Sequence, residues 1–190
     1  ALFRLYVDVE HTGSHNQFFD KFNIRYHLTQ IVECMWHLPD YRSSVRNEAL
    51  SARRFTQFVN MLLNDANFLL DEIISSLSDL RQIQREMERR EEWEALSVEE
   101  RREKEKKLHD IESQVKSYID LGNASINMLL FMTEDAAVRS VFVLPEMASR
   151  VAEMLNFFLS QLTGPKCAEL SVRDREKYGW EPRRLLTQIV

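Results

Sequence analysis

Cys34, His37 and Asp40 lie close together in the sequence and have the side-chain types of a nucleophile, a base and an orienting acid. A thiol can be activated by an imidazole that takes its proton. The partners of catalytic cysteines usually come from separate elements of a fold, however, and a helix face beside Trp36 and Leu38 is typical of packing. We therefore interpret these residues as structural and predict no catalytic residue.

A second group, His11 and His15 beside Asp8 and Glu10, has the histidine spacing of a helical metal site. Gly13 lies between the two histidines and favours a flexible loop over a rigid helical site. The sequence also contains no P-loop, no dinucleotide-binding glycine pattern, no nucleophile elbow and no zinc-protease motif. We predict neither a metal nor any other cofactor.

A row of polar residues follows one side of the longest amphipathic stretch. Asn60, Asn64, Asn67 and Asp71 succeed one another at intervals of four, three and four residues. Amides in such a row could bond to the backbone of an extended partner, because each carries a donor and an acceptor. The alternative is that these side chains bridge neighbouring helices or face solvent. The row is the predicted protein-binding surface.

The composition favours a helical protein. Among 190 residues there are only four Gly and four Pro, too few for a turn-rich β-sandwich or barrel. The net charge of -5 gives no general attraction to nucleic acid or to anionic lipid, and no apolar run is long enough for a membrane helix. Two cysteines far apart in sequence indicate a reducing compartment, so we expect a cytoplasmic and nuclear protein.

Helix breakers and apolar spacing divide the chain into long helices. Between Pro39 and Gly122 there is neither Pro nor Gly, which predicts extended helices with few corners. A helix from near Ser14 to Pro39 should bury one apolar stripe: Ile24, Leu28, Ile31, Met35 and Leu38. The clearest stripe belongs to the next helix: Phe55, Val59, Leu62, Ala66, Leu69, Ile73, Leu77, Leu80, Ile83 and Met87.

A charged stretch, residues 81–107, follows this stripe. It contains too few apolar residues to bury much surface, so we predict a solvated helical tip and keep open its use as a docking surface. The helix that carries the stripe from Phe55 to Met87 should end near Ala95. Ser97 and Glu100 have the spacing of a capping box, which predicts a new helix that returns antiparallel to the first.

The remainder of the chain is predicted as a loop over residues 135–144, a helix from Pro145 to Gly164 and a last helix that Pro182 opens. Successive amphipathic helices of unequal length, each too apolar to stand alone, are typical of an armadillo- or HEAT-like α-solenoid. The predicted fold class is therefore all-α, with long antiparallel helices and one domain over residues 1–190. A closed helical bundle is the alternative.

The most specific motif lies near the C-terminal end of the chain. It begins with Gly164, Pro165, Lys166 and Cys167 and continues through Leu170, Val172, Glu176, Lys177, Tyr178, Gly179, Glu181, Pro182, Leu185 and Leu186. Three earlier stretches, residues 19–27, 58–72 and 154–157, agree in the same order. Together they resemble the core of the ubiquitin chain-elongation factors that carry a C-terminal U-box, over about residues 17–190. Trp180 and Arg175 depart mildly from that pattern, where Phe and Pro are expected.

The resemblance implies a fragment of a U-box-type ubiquitin ligase, a transferase that extends polyubiquitin chains on already ubiquitylated substrates for proteasomal degradation. The U-box is expected beyond Val190, where it holds the conjugating enzyme without forming a thioester, so the implied role of this chain is a scaffold. The implied partners are a ubiquitin-conjugating enzyme, ubiquitylated substrates, an AAA-type segregase ATPase and ubiquitin-like-domain shuttle factors. Nucleic acid and membranes are not among them.

The C-terminal motif and the polar row suggest a role for each. In the C-terminal motif we expect a structural role, because Gly and Pro fix corners and aromatic side chains fill the ends of helices: Gly164, Pro165, Lys166, Cys167, Tyr178, Gly179 and Pro182. The rival to the ligase scaffold is a non-enzymatic armadillo-like adaptor that binds extended peptides through the row from Asn60 to Asp71.

Overall fold

A computed structural model describes residues 1–11, 18–51 and 53–189. Within these ranges the chain forms helices and no β-strand, which confirms the all-α prediction. The α-helices are α1 (Leu2–Asp8), α2 (Phe18–Trp36), α3 (Pro39–Leu50), α4 (Arg53–Glu88), α5 (Arg90–Ala95), α6 (Val98–Glu134), α7 (Ala136–Phe142), α8 (Pro145–Thr163) and α9 (Pro182–Ile189). Short 3-10 turns cover Val9–His11, Pro165–Leu170 and Arg175–Tyr178.

The chain divides into two compact units. The first comprises Ala1–Asn67 and Leu121–Leu155, and the second comprises Phe68–Asp120 and Asn156–Val190. Each unit contains large side chains that are almost completely buried, such as Phe58 and Met128 in the first and Leu77 and Ile119 in the second. In the first unit, α1 and α3 pack against α2, and α3 also packs against α7.

The amphipathic stripe of α4 is confirmed. Every residue of the predicted stripe from Phe55 to Ile83 is buried, and only Met87 is half-buried. The helix ends at Glu88, because the backbone of Arg89 leaves the helical conformation before the separate short helix α5. The expected end near Ala95 is therefore wrong by about two turns.

The predicted capping box at the start of α6 is confirmed. The backbone N–H and the hydroxyl of Ser97 both donate to Glu100 Oε2 at 2.8 Å, and the backbone N–H of Glu100 donates to Ser97 Oγ at 3.2 Å. Lys104 of α6 pairs with Glu86 of α4 at 2.7 Å. Because only the short segment with α5 separates these helices in sequence, they run antiparallel at this end, as predicted.

The predicted stripe of α2 is wrong at three of its five positions and right at Leu28, which is buried. Ile24, Ile31 and Leu38 are exposed, whereas the buried face carries Phe22, Arg25, Leu28, Thr29, Val32 and Trp36. A search for apolar periodicity passes over this face because two of its members are polar. Their polar atoms are bonded, since Thr29 donates to the Tyr26 carbonyl at 2.7 Å and Arg25 has several partners. The predicted start of the helix, Ser14 to Asn16, lies outside the described residues.

The predicted loop over residues 135–144 is wrong, because most of it forms the helix α7, Ala136–Phe142. The Asp135 carboxylate accepts bonds from the backbone N–H groups of Ala137 and Val138, which caps the start of α7. Burial raises the pKa of Asp135, but the hydrogen bond from Arg46 and those from the backbone outweigh it and lower the pKa overall. A short helix with a cap and buried Val138 and Val141 is stable only against its neighbours, so local periodicity missed it.

Pro145 begins α8 and Pro182 begins α9, as predicted. The buried face of α8 includes Met147, Met154 and Phe158. The helix ends at Thr163, just before Gly164 and Pro165. In the part of the chain that is described, no helix combines the length and the apolar composition that crossing a lipid bilayer requires.

Candidate functional site

The first unit contains a polar cluster, which we call the buried polar cluster, of the buried residues Tyr6, Arg25 and Asp65 with the exposed Glu10 at its edge. Arg25 donates to Asp65 Oδ1 at 2.8 Å, to Glu10 Oε2 at 2.7 Å and to the Tyr6 carbonyl at 3.3 Å. The Tyr6 hydroxyl donates to the second oxygen of Asp65 at 2.7 Å. The cluster therefore joins α1 and the turn after it to α2 and α4.

Burial has the largest effect on the pKa values of Tyr6 and Asp65. Arg25 and Asp65 are only 3% and 4% exposed. Burial raises the pKa of Asp65 to about 6, although Arg25 and the Tyr6 hydroxyl act in the opposite direction. Burial and the neighbouring Asp65 carboxylate also raise the pKa of Tyr6, whereas the hydrogen bond from Arg25 lowers the pKa of Glu10.

Aromatic rings complete the surroundings of Arg25. Its guanidinium lies 5.3 Å from the centre of the Tyr6 ring and 5.9 Å from that of Phe22, within the range of cation–π attraction. All three guanidinium nitrogens of Arg25 thus donate to a protein oxygen, and the two rings cover the group. The cluster positions helices and has no arrangement for catalysis.

Arg150 contacts the first half of the predicted binding row. Its guanidinium donates to the side-chain oxygens of Asn60 and Asn64. A residue of α8 is therefore hydrogen-bonded to two successive turns of α4. This contact corresponds to the bridge between helices that the sequence analysis left open. Sequence reasoning missed Arg150 because it lies about ninety residues away from Asn60.

The second half of the row has different surroundings. Asn67 is half-buried in the first unit and Asp71 is exposed in the second. Among the described residues, neither side chain has a hydrogen-bond or ion-pair partner. Both keep donor or acceptor capacity that a partner could use.

Two glycines of the C-terminal motif occupy positions where a side chain would strain the backbone. A Cβ atom at Gly164 would lie 2.2 Å from the backbone oxygen of Ser160, so any side chain there would displace the end of α8. Gly179 has a φ of +72°, in the left-handed region that favours glycine. These two positions turn the chain between α8 and α9.

The aromatic residues of the same motif are buried in the second unit. Tyr178 is 2% exposed and donates to Glu112 Oε1 at 2.6 Å, and Lys177 pairs with the other oxygen of Glu112 at 2.8 Å. Partial burial acts to raise the pKa of Glu112, but these two hydrogen bonds outweigh it and lower the pKa overall. Trp180 is also buried, and its backbone N–H donates to the Arg175 carbonyl at 3.0 Å. The Lys166 side chain lies outside the described residues, and Cys167 is exposed.

The groups first considered for chemistry lie at the surface or fall outside the described side chains. Cys34 and His37 are exposed on either side of the end of α2, and Asp40 lies in the first turn of α3. His15 lies outside the described residues. Within residues 1–11, 18–51 and 53–189, no group of three or more His, Cys, Asp or Glu side chains could hold a metal ion.

Comparison with known families decides the identity of the chain. A family model described as the ubiquitin elongating factor core matches residues 1–190. The chain belongs to this family. The ordered motifs that suggested the resemblance therefore come from a member of the ubiquitin elongating factor core family, and the C-terminal motif with its two constrained glycines lies within the matched region.

Curated relatives of this elongating factor core are similar along its whole length. It is 42% identical to the probable ubiquitin conjugation factor E4 of Arabidopsis thaliana, over 100% of this chain and 18% of that protein. It is 38% identical to ubiquitin conjugation factor E4 A of Rattus norvegicus, with the same two shares. It is also 38% identical to the E4 ubiquitin-protein ligase UFD2 of Saccharomyces cerevisiae, over 100% of this chain and 20% of that protein. The chain thus spans about a fifth of the length of these relatives.

Proposed function

We propose that this chain is a scaffold segment of a ubiquitin chain-elongation factor, which helps the factor extend polyubiquitin chains on substrates that already carry ubiquitin. The observation that carries the proposal is the family match over residues 1–190. The name of the yeast relative, an E4 ubiquitin-protein ligase, supports a ligase activity for the whole protein. The chemistry is assigned to a U-box outside this chain.

A scaffold role agrees with the contacts described above. The polar cluster, the Arg150 contact and the Glu112 contact all bind helices to one another, and none presents a reactive group to a substrate. We propose that the long amphipathic helices stack as in an armadillo-like solenoid, because such stacks hold distant partners at a set separation. The partners proposed for the whole factor are a conjugating enzyme, ubiquitylated substrates, an AAA-type segregase ATPase and ubiquitin-like-domain shuttle factors, in the cytoplasm and nucleus.

Two activities of the full-length factor separate a scaffold from a catalytic segment. One is discharge of the ubiquitin-charged conjugating enzyme onto free lysine, which reports the chemistry. The other is chain extension on a ubiquitylated substrate, which also requires positioning. Deleting this segment should strongly reduce chain extension and leave lysine discharge near the parent rate.

Equal chain extension with and without the segment would refute the scaffold role. Loss of both activities would assign chemistry to the segment, unless the deletion unfolds its neighbours. A point variant, Arg25→Ala, controls for that case, because it weakens the fold of the first unit without removing any part of the chain.

The second candidate function is a non-enzymatic adaptor that binds extended peptides. It is favoured by Asn67 and Asp71, whose side chains have no partner within the described ranges. Alanine at both positions should abolish partner binding and leave the melting temperature unchanged. Alanine at Asn60 and Asn64 is the matched control, because it removes the acceptors of Arg150 and should lower stability instead. A drop in stability for both pairs of substitutions would identify the row as structural.

A further inference from the structure

A cleft in the second unit is lined by three arginines at regular spacing. It has a volume of about 420 Å³. Its walls come from the last turns of α4 with Arg89 and from the 3-10 turn Pro165–Leu170, and they comprise Ser78, Arg81, Gln82, Arg85, Glu86, Arg89 and Glu169. We call this site the arginine cleft. It lies within the charged stretch whose use as a docking surface the sequence left open.

The carboxylates around the arginine cleft do not neutralise it. Glu86 is held by Lys104 at 2.7 Å and by Gln82 at 3.2 Å. Arg85 is exposed and has no ion-pair partner among the described residues. Glu169 is exposed and has no ion-pair partner in the part of the chain that is described, so it sets one uncompensated carboxylate against the three arginines.

The flanking arginines have only weak competitors for a ligand. Arg81 pairs with Glu88 at 3.3 Å, and Glu88 is shared with Arg173. Arg89 pairs with Glu92 at 3.3 Å, and both of these side chains are more than 60% exposed. An exposed pair such as Arg89–Glu92 stabilises a protein by at most about 1 kcal/mol, so a carboxylate ligand can replace it.

The spacing of the arginines identifies the shape of the ligand. Positions four residues apart on a helix are separated by about 6 Å along its axis. Alternate residues of an extended peptide are separated by about 6.7 Å and point to the same side. Guanidinium groups bind carboxylates through paired, charge-assisted hydrogen bonds. We propose that the arginine cleft binds an acidic peptide in extended conformation, with carboxylates at alternate positions facing Arg81, Arg85 and Arg89.

A peptide fits the charges of this region better than a nucleic acid does. The whole chain carries a net charge of -5, whereas the three arginines of the cleft are close together in sequence. A nucleic acid would extend its phosphates beyond the three arginines into acidic surroundings, including Glu91 and Glu92. A short peptide can place its few carboxylates on the arginines alone.

Fluorescence anisotropy with the purified 190-residue chain tests this proposal. The probe is a fluorescein-labelled peptide in which three glutamates alternate with serines. We expect saturable binding that weakens with salt, weaker binding when the three glutamates are contiguous, and none when they are replaced by glutamine. The variant Arg85→Gln should weaken binding about tenfold, because one charge-assisted contact is lost.

The matched control is Arg102→Gln, which removes an exposed arginine of α6 that does not line the cleft. It should leave the affinity for the alternating peptide unchanged. Equal weakening by the two variants would show nonspecific attraction and overturn the proposal. Equal binding of the contiguous peptide would overturn the extended geometry, and tighter binding of a single-stranded oligonucleotide would assign the cleft to nucleic acid. Because Arg85 is exposed and unpaired, its variant should melt at the parent temperature, which a thermal scan checks.

Discussion

Arg25 in the first unit and Arg85 in the second are both helical arginines, and they differ in almost every physical respect. Arg25 is 3% exposed and bonds to two carboxylates and a backbone carbonyl. Arg85 is exposed, lines an open cleft and has no ion-pair partner within the described ranges. The same side chain therefore holds helices together in one unit and stays available to a ligand in the other.

Desolvation, and not residue type, therefore decides the role of a charge in this chain. A buried charge must be paired, because an isolated ion loses its hydration when it is buried. An exposed charge keeps its hydration, so its ion pairs contribute little to stability and can be exchanged. Substitutions that remove a charge should thus have large structural effects in the buried polar cluster and small ones in the arginine cleft.

The largest loss of stability should come from Arg25→Ala, which removes the buried one of the two arginines. Removing the guanidinium leaves Asp65 buried without its cationic partner, and we expect a loss of about 3–5 kcal/mol in the free energy of unfolding at neutral pH. Arg85→Ala should change it by no more than about 0.5 kcal/mol. Urea unfolding of the two variants measures both values. Similar losses would mean that burial does not distinguish the two arginines.

A second prediction uses pH to isolate Asp65. The pKa of Asp65 is raised from 3.8 to about 6 in the folded chain, so the folded state binds more protons than the unfolded state between these values. Its contribution to stability is therefore complete below about pH 4 and is lost as the pH rises through 6. The free energy of unfolding of the parent, relative to Asp65→Asn, should fall by about 3 kcal/mol between about pH 4 and pH 7.

Urea unfolding at a series of pH values checks this prediction. Asp65→Asn is the appropriate reference, because asparagine keeps the size of the side chain and does not titrate. If the free energy of unfolding of the parent, relative to Asp65→Asn, rose with pH, pairing with Arg25 would outweigh burial and lower the pKa of Asp65.

A smaller effect should distinguish a buried helix cap from an exposed one. Asp135→Ala removes the cap of α7 and the partner of Arg46, and we expect a loss of about 1–2 kcal/mol in the free energy of unfolding. Asp135→Asn keeps a capping oxygen and should lose less than about 1 kcal/mol. Ser97→Ala, at the exposed start of α6, should cost less than Asp135→Ala because water replaces the lost cap. Thermal unfolding of the three variants gives this order, and an Asp135→Asn loss as large as that of Asp135→Ala would contradict the capping role.

The sequence predicted those elements whose stability is visible in local periodicity. The stripe of α4, the capping box at Ser97, and Pro145 and Pro182 at the first positions of their helices all follow from residue type and spacing over one or two turns. The all-α class follows from the scarcity of Gly and Pro. These features need no knowledge of what packs against each helix.

The elements that were missed depend on distant residues. The buried face of α2 contains Arg25, whose burial is favourable only because Asp65 lies forty positions further along the chain. The short helix α7 depends on its packing against α3. In the predicted binding row, Asn60 and Asn64 accept bonds from Arg150, and nothing in the local pattern indicates that partner. Contacts across such separations leave no periodic signal in a single sequence.

In the proposed scaffold role, this segment supports ubiquitin transfer without reacting itself. The chain has two cysteines, Cys34 and Cys167, and both are free and exposed, so a thioester mechanism within this segment would have to use one of them. The most direct measurement is chain elongation by the full-length factor with both cysteines replaced by serine. We predict elongation at the parent rate and no reducible ubiquitin adduct on the unsubstituted protein. Loss of elongation in the double variant, together with such an adduct in the parent, would contradict the scaffold role.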